Sequence, residues 1–295
     1  MDNREEVRAF LRSRRDKVTP EQAGLPVYGQ RRVPGLRRGE VATLAGVSVE
    51  YYTRLERGSL KGVSDSVLDA LAHALRLDDT ERMHLYDLAR AAGPAPAPRS
   101  RQREAPPTVR PSVARIIEGM PELPAFVQNN RLDVLAANPL GRALYTQMYA
   151  DPTCGANTAR FAFLNPAAKQ FYRDWERVTR ATVGALRVEA GKDPHDRELS
   201  NLIGELSTRS DAFRVMWGSH DVHVFREGTK RLHHPVVGDL ELDHETMRLP
   251  DENGLSMAVY SAPAGTAAAD GLKLLASWSA TAAGQEHDAD TGSTS

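Results

Sequence analysis

Between Arg37 and Gly58, in RRGEVATLAGVSVEYYTRLERG, the apolar positions Val41, Leu44, Ala45 and Val47 follow a helical spacing that breaks at Gly46. Tyr52 and Leu55 take it up again three residues apart. Glycine at the break admits a left-handed backbone at little cost. Ser48 offers its hydroxyl to the unpaired amides that open a second helix. The pattern predicts two helices joined by a short glycine-bearing turn, the helix-turn-helix that lays its second helix in the DNA major groove.

Short side chains at Ala45 and Val47 let these helices cross closely, which leaves Val49, Glu50, Thr53 and Arg54 pointing outward as candidate base readers. Arg37 and Arg38, placed before the first helix, suit phosphate oxygens, as do Ser48 with the second helix's N-terminus, and Arg57 and Lys61 beyond it. A plain helical hairpin is the competing reading, with Glu50 and Arg54 as a surface pair four residues apart. The segment from Pro20 to Pro34 is rich in Gly and Pro, and its Arg31 and Arg32 are either backbone contacts or ordinary solvated charges.

Downstream, Gly93 to Pro111 is dense in Pro and small or charged residues and reads as a linker (93–111). PAFVQNNRLDVLAANP follows as two short strands around a turn at Asn129 and Asn130, after which Asn138 caps a helix opened by Pro139, with Leu140, Ala143, Leu144 and Met148 on its buried face. Helical spacing then runs from Pro166 to about Gly191, from about Asp196 to Thr208 and over Asp211 to Trp217. From Val222 the period becomes two, in VHVFREG, TKRLHHP, GDLELDHETMRLP and GLSMAVYSAP, with turns expected at Gly228, Gly238 and Asn253-Gly254; a helix over Ala267 to Ala280 closes the pattern.

An antiparallel sheet flanked by helices encloses its pocket between the two layers. Phe161, Phe163, Tyr172, Trp175, Phe213, Met216 and Trp217 form the pool of side chains available to line it, although each equally fits plain core.

Composition narrows the function classes. The chain has 295 residues, 41% hydrophobic and 26% charged, a globular balance that is too long for one DNA-binding module. Apolar runs of membrane-spanning length and a secretory leader are not found, so a cytoplasmic location is expected. The single cysteine, Cys154, is expected to be an incidental thiol. Net charge is −1, but residues 1–110 carry 20 Lys and Arg against 15 Asp and Glu, and the remainder 18 against 24. The basic half is the half with the helix-turn-helix.

On these residues Arg37 to Gly58 is similar to the Cro/repressor-type, or XRE-class, helix-turn-helix, a resemblance covering about the first ninety residues. It implies a five-helix lambda-repressor-like domain over 1–92. Phe10 and Leu11 would lie on its opening helix, with Val67, Leu68, Leu71 and Leu75 on a later one capped by Asp65 and Ser66. Thr80 would cap a fifth helix through Ala91.

PAFVQNNRLDVLAANPLGRALY, FLNPAAKQFYRDWE, GELSTRSDAFRVMWGSHDV and GTKRLHHPVVGDLELDHETMRLP resemble the PAS-like ligand-binding domain of MmyB-like transcription regulators, over most of Pro124 to Trp278. The fold class implied is α plus α+β: the helical domain, then a PAS-like antiparallel sheet with helices over 112–281, and a disordered tail over 282–295. The resemblance also implies a small apolar or amphipathic, fatty-acid-like effector.

Other function classes fit the sequence less well. A metal-responsive regulator would use the histidines at 220, 223, 233, 234 and 244, yet His220 and His223 fall on opposite faces of a strand and no Cys stands near. An enzyme would need a nucleophile with its base, a phosphate loop or paired acids; none of GxSxG, GxxxxGK[ST] or HExxH occurs, and Asp221, His223 and Glu227 read better as structural. An antitoxin-like module binding DNA and a protein leaves the second half unexplained. The expectation is therefore a non-enzymatic regulator without cofactor or metal, binding double-stranded DNA as a homodimer, responsive to a small molecule and not inserted in a membrane.

Overall fold

The computed structural model describes residues 3–26, 33, 35–93, 108–194, 196–219, 227–250 and 254–291, with no account of the side chains of Glu227 and 282–291. Arg31, Arg32, His220, Asp221, His223 and most of the 93–111 linker lie outside it. Contacts divide the chain into two units, Met1–Gln102 with Arg180–Val224, and Arg103–Thr179 with Phe225–Ser295.

The first unit opens with α1 (Asn3–Lys17), which buries Val7, Phe10 and Leu11. It continues with α2 (Arg38–Leu44), α3 (Val49–Glu56), α4 (Asp65–Ala74) and α5 (Asp79–Ala91), the five helices of a lambda-repressor-like domain. Gly46 has φ +64°, and beside it the Val47 N–H donates to Ala42 O at 2.9 Å, so the left-handed residue closes α2 as its neighbours required. Arg38 proves to be the first residue of α2 rather than a residue before it. Asp78, not Thr80, caps α5: its carboxylate accepts the Glu81 N–H at 2.8 Å while the Glu81 carboxylate accepts the Asp78 N–H at 3.1 Å. This reciprocal box satisfies two orphan amides at once, which a threonine two residues later could not do. Likewise Ser64, in extended backbone, holds the capping position of α4 in place of Asp65 and Ser66.

In the second unit α6 (Pro111–Glu118) precedes β1 (Ala125–Gln128) and β2 (Val134–Ala137). Next come α7 (Pro139–Leu144), α8 (Thr146–Tyr149), α9 (Thr158–Leu164) and α10 (Ala168–Phe171). Asn138 caps α7 by accepting the Gly141 N–H at 2.7 Å. The helical pattern expected from Pro166 to Gly191 is interrupted. Tyr172 turns extended and bridges Leu232, the Arg173 N–H donates to Arg231 O at 2.9 Å, and α11 (Trp175–Lys192) starts afresh. Pairing with the sheet outcompetes a continuous helix there.

The last turns of α11, with α12 (Arg197–Arg209) and α13 (Asp211–Gly218), belong to the first unit. Val188 joins the core of α1 to α5, and a side chain at Gly191 would collide with the His84 ring.

β3 (Glu227–His234), β4 (Gly238–Arg248) and β5 (Ser256–Ser261) complete an antiparallel PAS-like sheet in the order β2-β1-β5-β4-β3. Gly228 is not a turn residue: it lies inside β3 opposite His244, while Gly238, with φ +75°, makes the β3–β4 hairpin. Helix α14 (Ala267–Thr291) runs through 282–291, where the sequence suggests a disordered tail; its alanine-rich start and middle favour helix. The core between sheet and helices gathers Phe126, Tyr145, Phe161, Phe171, Leu232, Leu242 and Tyr260.

Candidate nucleic-acid interface and ligand-binding domain

Packing of α3 decides which of its side chains can meet a partner. Tyr52, Leu55 and Glu56 are buried, whereas Val49 is 45% exposed and Glu50 and Arg54 are exposed beside it. Thr53 is partly buried, and its hydroxyl donates to Val49 O at 2.7 Å. Arg54 lies over the Tyr51 ring, 4.8 Å from its centre, so it stacks on an aromatic face instead of reaching for Glu50. All four candidate readers line one surface groove of about 590 Å³ together with Arg4, Arg57 and Ser59.

A second groove of about 450 Å³ is bounded by Arg8, Arg12, Arg38, Glu56 and Arg57. The phosphate candidates divide accordingly. Arg57 borders both grooves, Arg38 one, and exposed Lys61 neither. Arg37 is exposed at the start of α2, where its backbone N–H donates to the Glu40 carboxylate at 2.6 Å. Ser48 accepts the Tyr51 N–H at 3.0 Å, so its oxygen serves the helix.

Arg4, Arg8 and Arg12 on α1 are additions that reading the helix-turn-helix alone missed. Their spacing of four was a readable signal, since it places them on one helical face. Gly58 brings that face close: with φ +96°, it lies where a Cβ would stand 2.3 Å from Arg4 O.

Beneath the second groove Glu56 organises two arginines. It accepts Arg15 Nε and Nη2 at 3.2 and 3.1 Å and Arg38 Nε and Nη2 at 3.1 and 3.3 Å. Burial works to raise the Glu56 pKa, and the hydrogen bonds and charges of Arg15 and Arg38 outweigh it, holding the carboxyl below the ordinary glutamate value. Arg38 keeps half its side chain exposed, so the pair fixes its direction without hiding it.

The proposed pocket residues divide between the two units. Phe161, Phe163, Tyr172 and Trp175 belong to the second unit, Phe213, Met216 and Trp217 to the first. Trp217 stacks on Phe213 and covers the guanidinium of buried Arg187 at 4.3 Å, which is ion-paired with Glu6 at 2.5 Å. Trp217 is thus a structural neighbour of α1. Trp175 donates its indole N–H to Ala162 O at 2.8 Å and meets Phe163 edge-on.

Of the clustered histidines, His234 spends both ring nitrogens, one on Ala143 O at 3.0 Å and one on the Val236 N–H at 3.2 Å. His233 pairs with Asp239, and His244 lies against the Tyr260 ring. Among the described residues no three His, Cys, Asp or Glu side chains converge on a metal position, and no helix is long and apolar enough to cross a membrane.

Comparison with known families places a helix-turn-helix domain at residues 6–85. A search of curated proteins gives no match. The MmyB-like transcription regulator ligand binding domain matches residues 109–275, more than half of the chain. With a DNA-binding domain followed by this ligand-binding domain, the chain belongs to the MmyB-like transcription regulators.

Proposed function

We propose that this regulator is a cytoplasmic, sequence-specific DNA-binding homodimer that acts by binding, not catalysis, and responds to a small apolar or fatty-acid-like effector in its PAS-like domain. The observation that carries the DNA reading is the groove along α3, in which Val49, Glu50, Thr53 and Arg54 lie together between arginines of other segments. In this assignment those four meet base edges. Arg37, Arg38, Arg57 and Lys61, with Ser48 at the start of α3, hold phosphates, joined by Arg4, Arg8 and Arg12. The working boundaries are 1–92 for the reader, 93–111 for the linker and 112–281 for the sensor.

Dimerisation follows from information content, because one helix reads few base pairs and two symmetric half-sites multiply discrimination. Regulation requires the effector to bind DNA-competent and incompetent states unequally. What supports such coupling is that Arg180–Val224, inside the matched sensor region, packs with the helix-turn-helix unit, where Arg187 pairs with Glu6.

Selection of bound fragments from random duplexes, repeated with a lipid extract, tests both halves. A palindromic consensus whose occupancy changes with the extract is expected; equal retention of scrambled and genomic duplexes at physiological salt would overturn the reading. Within that experiment Arg38→Ala should weaken all sequences alike and lower the salt slope, while changes at Val49, Glu50 or Thr53 should alter base preference.

A further inference from the structure

Residues three apart on a helix share a face, and on α3 this brings Tyr51 and Arg54 together. The Tyr51 ring is half-buried and packs against the core of the first unit, as do Leu44 and Val47. Its backbone N–H donates to Ser48 Oγ at 3.0 Å, so the residue is fixed in the first turn of the helix. The Arg54 guanidinium lies over this ring, 4.8 Å from its centre, and Arg54 is exposed and lines the groove with Val49, Glu50 and Thr53. The arginine therefore touches an anchored aromatic surface and the groove at once.

A stacked guanidinium keeps its hydrogen-bonding edge, because a ring engages only the flat face. An ion pair with Glu50, four residues back, would instead occupy those donors. The edge is a planar fork, and in the major groove guanine presents two acceptors, O6 and N7, which that fork matches; no other base presents such a pair. An arginine on a free stem gives up rotamer freedom to reach this geometry. One already resting on a ring has given up part of it before the duplex arrives.

We propose that Arg54 reads a guanine in each half-site and that Tyr51 is the positioning residue that aims it. The inference rests on the base-reading assignment of α3 above, and adds to it the base that Arg54 meets and the side chain that orders Arg54. Removing the ring then costs recognition at one base and not affinity for DNA at large. A ring that only supported the fold would affect every position alike.

The test is selection of fragments from random duplexes by the full chain, followed by competitive gel shifts in which each position of the consensus carries each of the four bases. Arg54→Met identifies its own position as the one that becomes indifferent, and there wild type is expected to prefer guanine about tenfold or more. Tyr51→Leu should lower that preference about threefold or more, while preferences elsewhere and binding to scrambled duplex stay within about twofold. Tyr51→Phe, which keeps the ring face, should match wild type within about twofold. In an Arg54→Met background Tyr51→Leu should change nothing further, as expected of two residues acting as one. Should Tyr51→Leu not fold, Tyr51→Met, which has a long side chain but no aromatic face, carries the same expectation.

If wild type selects no consensus, the sequence-specific reading fails and this inference with it. If a consensus appears, the inference alone is overturned when Arg54→Met changes no position, or changes one at which guanine is not preferred. It is equally overturned when Tyr51→Leu keeps the guanine preference, weakens every position alike or still acts without Arg54, and when Tyr51→Phe behaves as Tyr51→Leu does.

Discussion

Glu56→Gln isolates the charge of the network that ties α1, α2 and α3 together. The Glu56 side chain is 3% exposed and that of Arg15 8%, so neither can turn to water when its partner changes. Glutamine offers one acceptor oxygen where the carboxylate used two, and aims an amide N–H₂ at a guanidinium. Arg15 would keep Leu36 O at 2.8 Å and Asp16 at 2.9 Å, and half-exposed Arg38 would resolvate. Breaking a buried pair from one side costs about 3 to 5 kcal/mol, and these remaining partners place the expected loss near the lower figure.

Urea unfolding followed by tryptophan emission is the assay. Trp217 belongs to the first unit, whereas Trp175 and Trp278 belong to the second, so a background carrying Trp175→Phe and Trp278→Phe reports the relevant unit. With a slope of about 1 to 3 kcal/mol per molar, the midpoint should fall by about 1 to 3 M. Because the folded Glu56 pKa is lowered, its contribution is complete above the unfolded value near 4.5 and disappears as pH falls through the folded one; the gap between wild type and variant should close in that window. A midpoint loss below about 0.3 M at neutral pH would refute the reasoning, since the network would then be worth no more than a surface pair.

Arg187→Met alone should destabilise the first unit by about 3 kcal/mol by removing the guanidinium paired with buried Glu6, and adding Glu6→Leu should recover most of it, as a double-mutant cycle in urea can measure. Gly58→Ala should lower both stability and DNA affinity, because the new methyl meets Arg4 O at 2.3 Å and forces α1 away from α3; thermal melts and gel shifts check both. Buried Cys154, its thiol raised to about 11 first by burial and then by Asp151, should resist thiol reagents until the chain unfolds. Lys230 is lowered to about 7 by burial, so above 7 the unfolded chain binds more protons and the second unit should gain stability up to about pH 10, where the raised pKa values of Tyr145, Tyr172 and Tyr260 reverse the trend. Lys230→Met should flatten that rise in chemical unfolding at graded pH.

Local chemistry was readable where one residue type has few alternatives. Gly46 and Ser48 end one helix and begin the next as their backbone freedom and hydroxyl dictate, and the Asn138-Pro139 start of α7 is equally explicit. Long-range competition was not readable. Tyr172 leaves its helix because Leu232, sixty residues away, offers a bridge, and Gly228 reads as a turn only until β4 supplies His244 as its partner. Unit membership was equally hidden: packing assigns Phe161 and Trp217, pooled together from sequence, to different units. Lys230 escaped notice although the period of two places it on the same face as Leu232, the one apolar residue of TKRLHHP, because a lysine is rarely expected on a buried face.

Charge shows the same division. The number of Lys and Arg in residues 1–110 does not measure the DNA-facing field, because several of them are paired with carboxylates inside the first unit. Arg14 pairs with Glu81, Arg15 and Arg38 share Glu56, and Glu6 is matched by Arg187 from far along the chain. Buried pairs release no counterions on meeting a duplex, so they leave the salt dependence of binding untouched. In the proposed assignment what remains to act on phosphate is Arg37, the half-exposed side of Arg38, Arg57, Lys61 and the outward row on α1, in which Arg12 is only loosely held by Asp16 at 3.7 Å. Helix α1 is therefore two devices in one segment. Its inward arginines tie it to α5 and α3, and its outward arginines border the grooves beside α3. Neutralising Arg8 and Arg12 should accordingly lower the salt slope without moving the urea midpoint, whereas neutralising Arg15 should move the midpoint first.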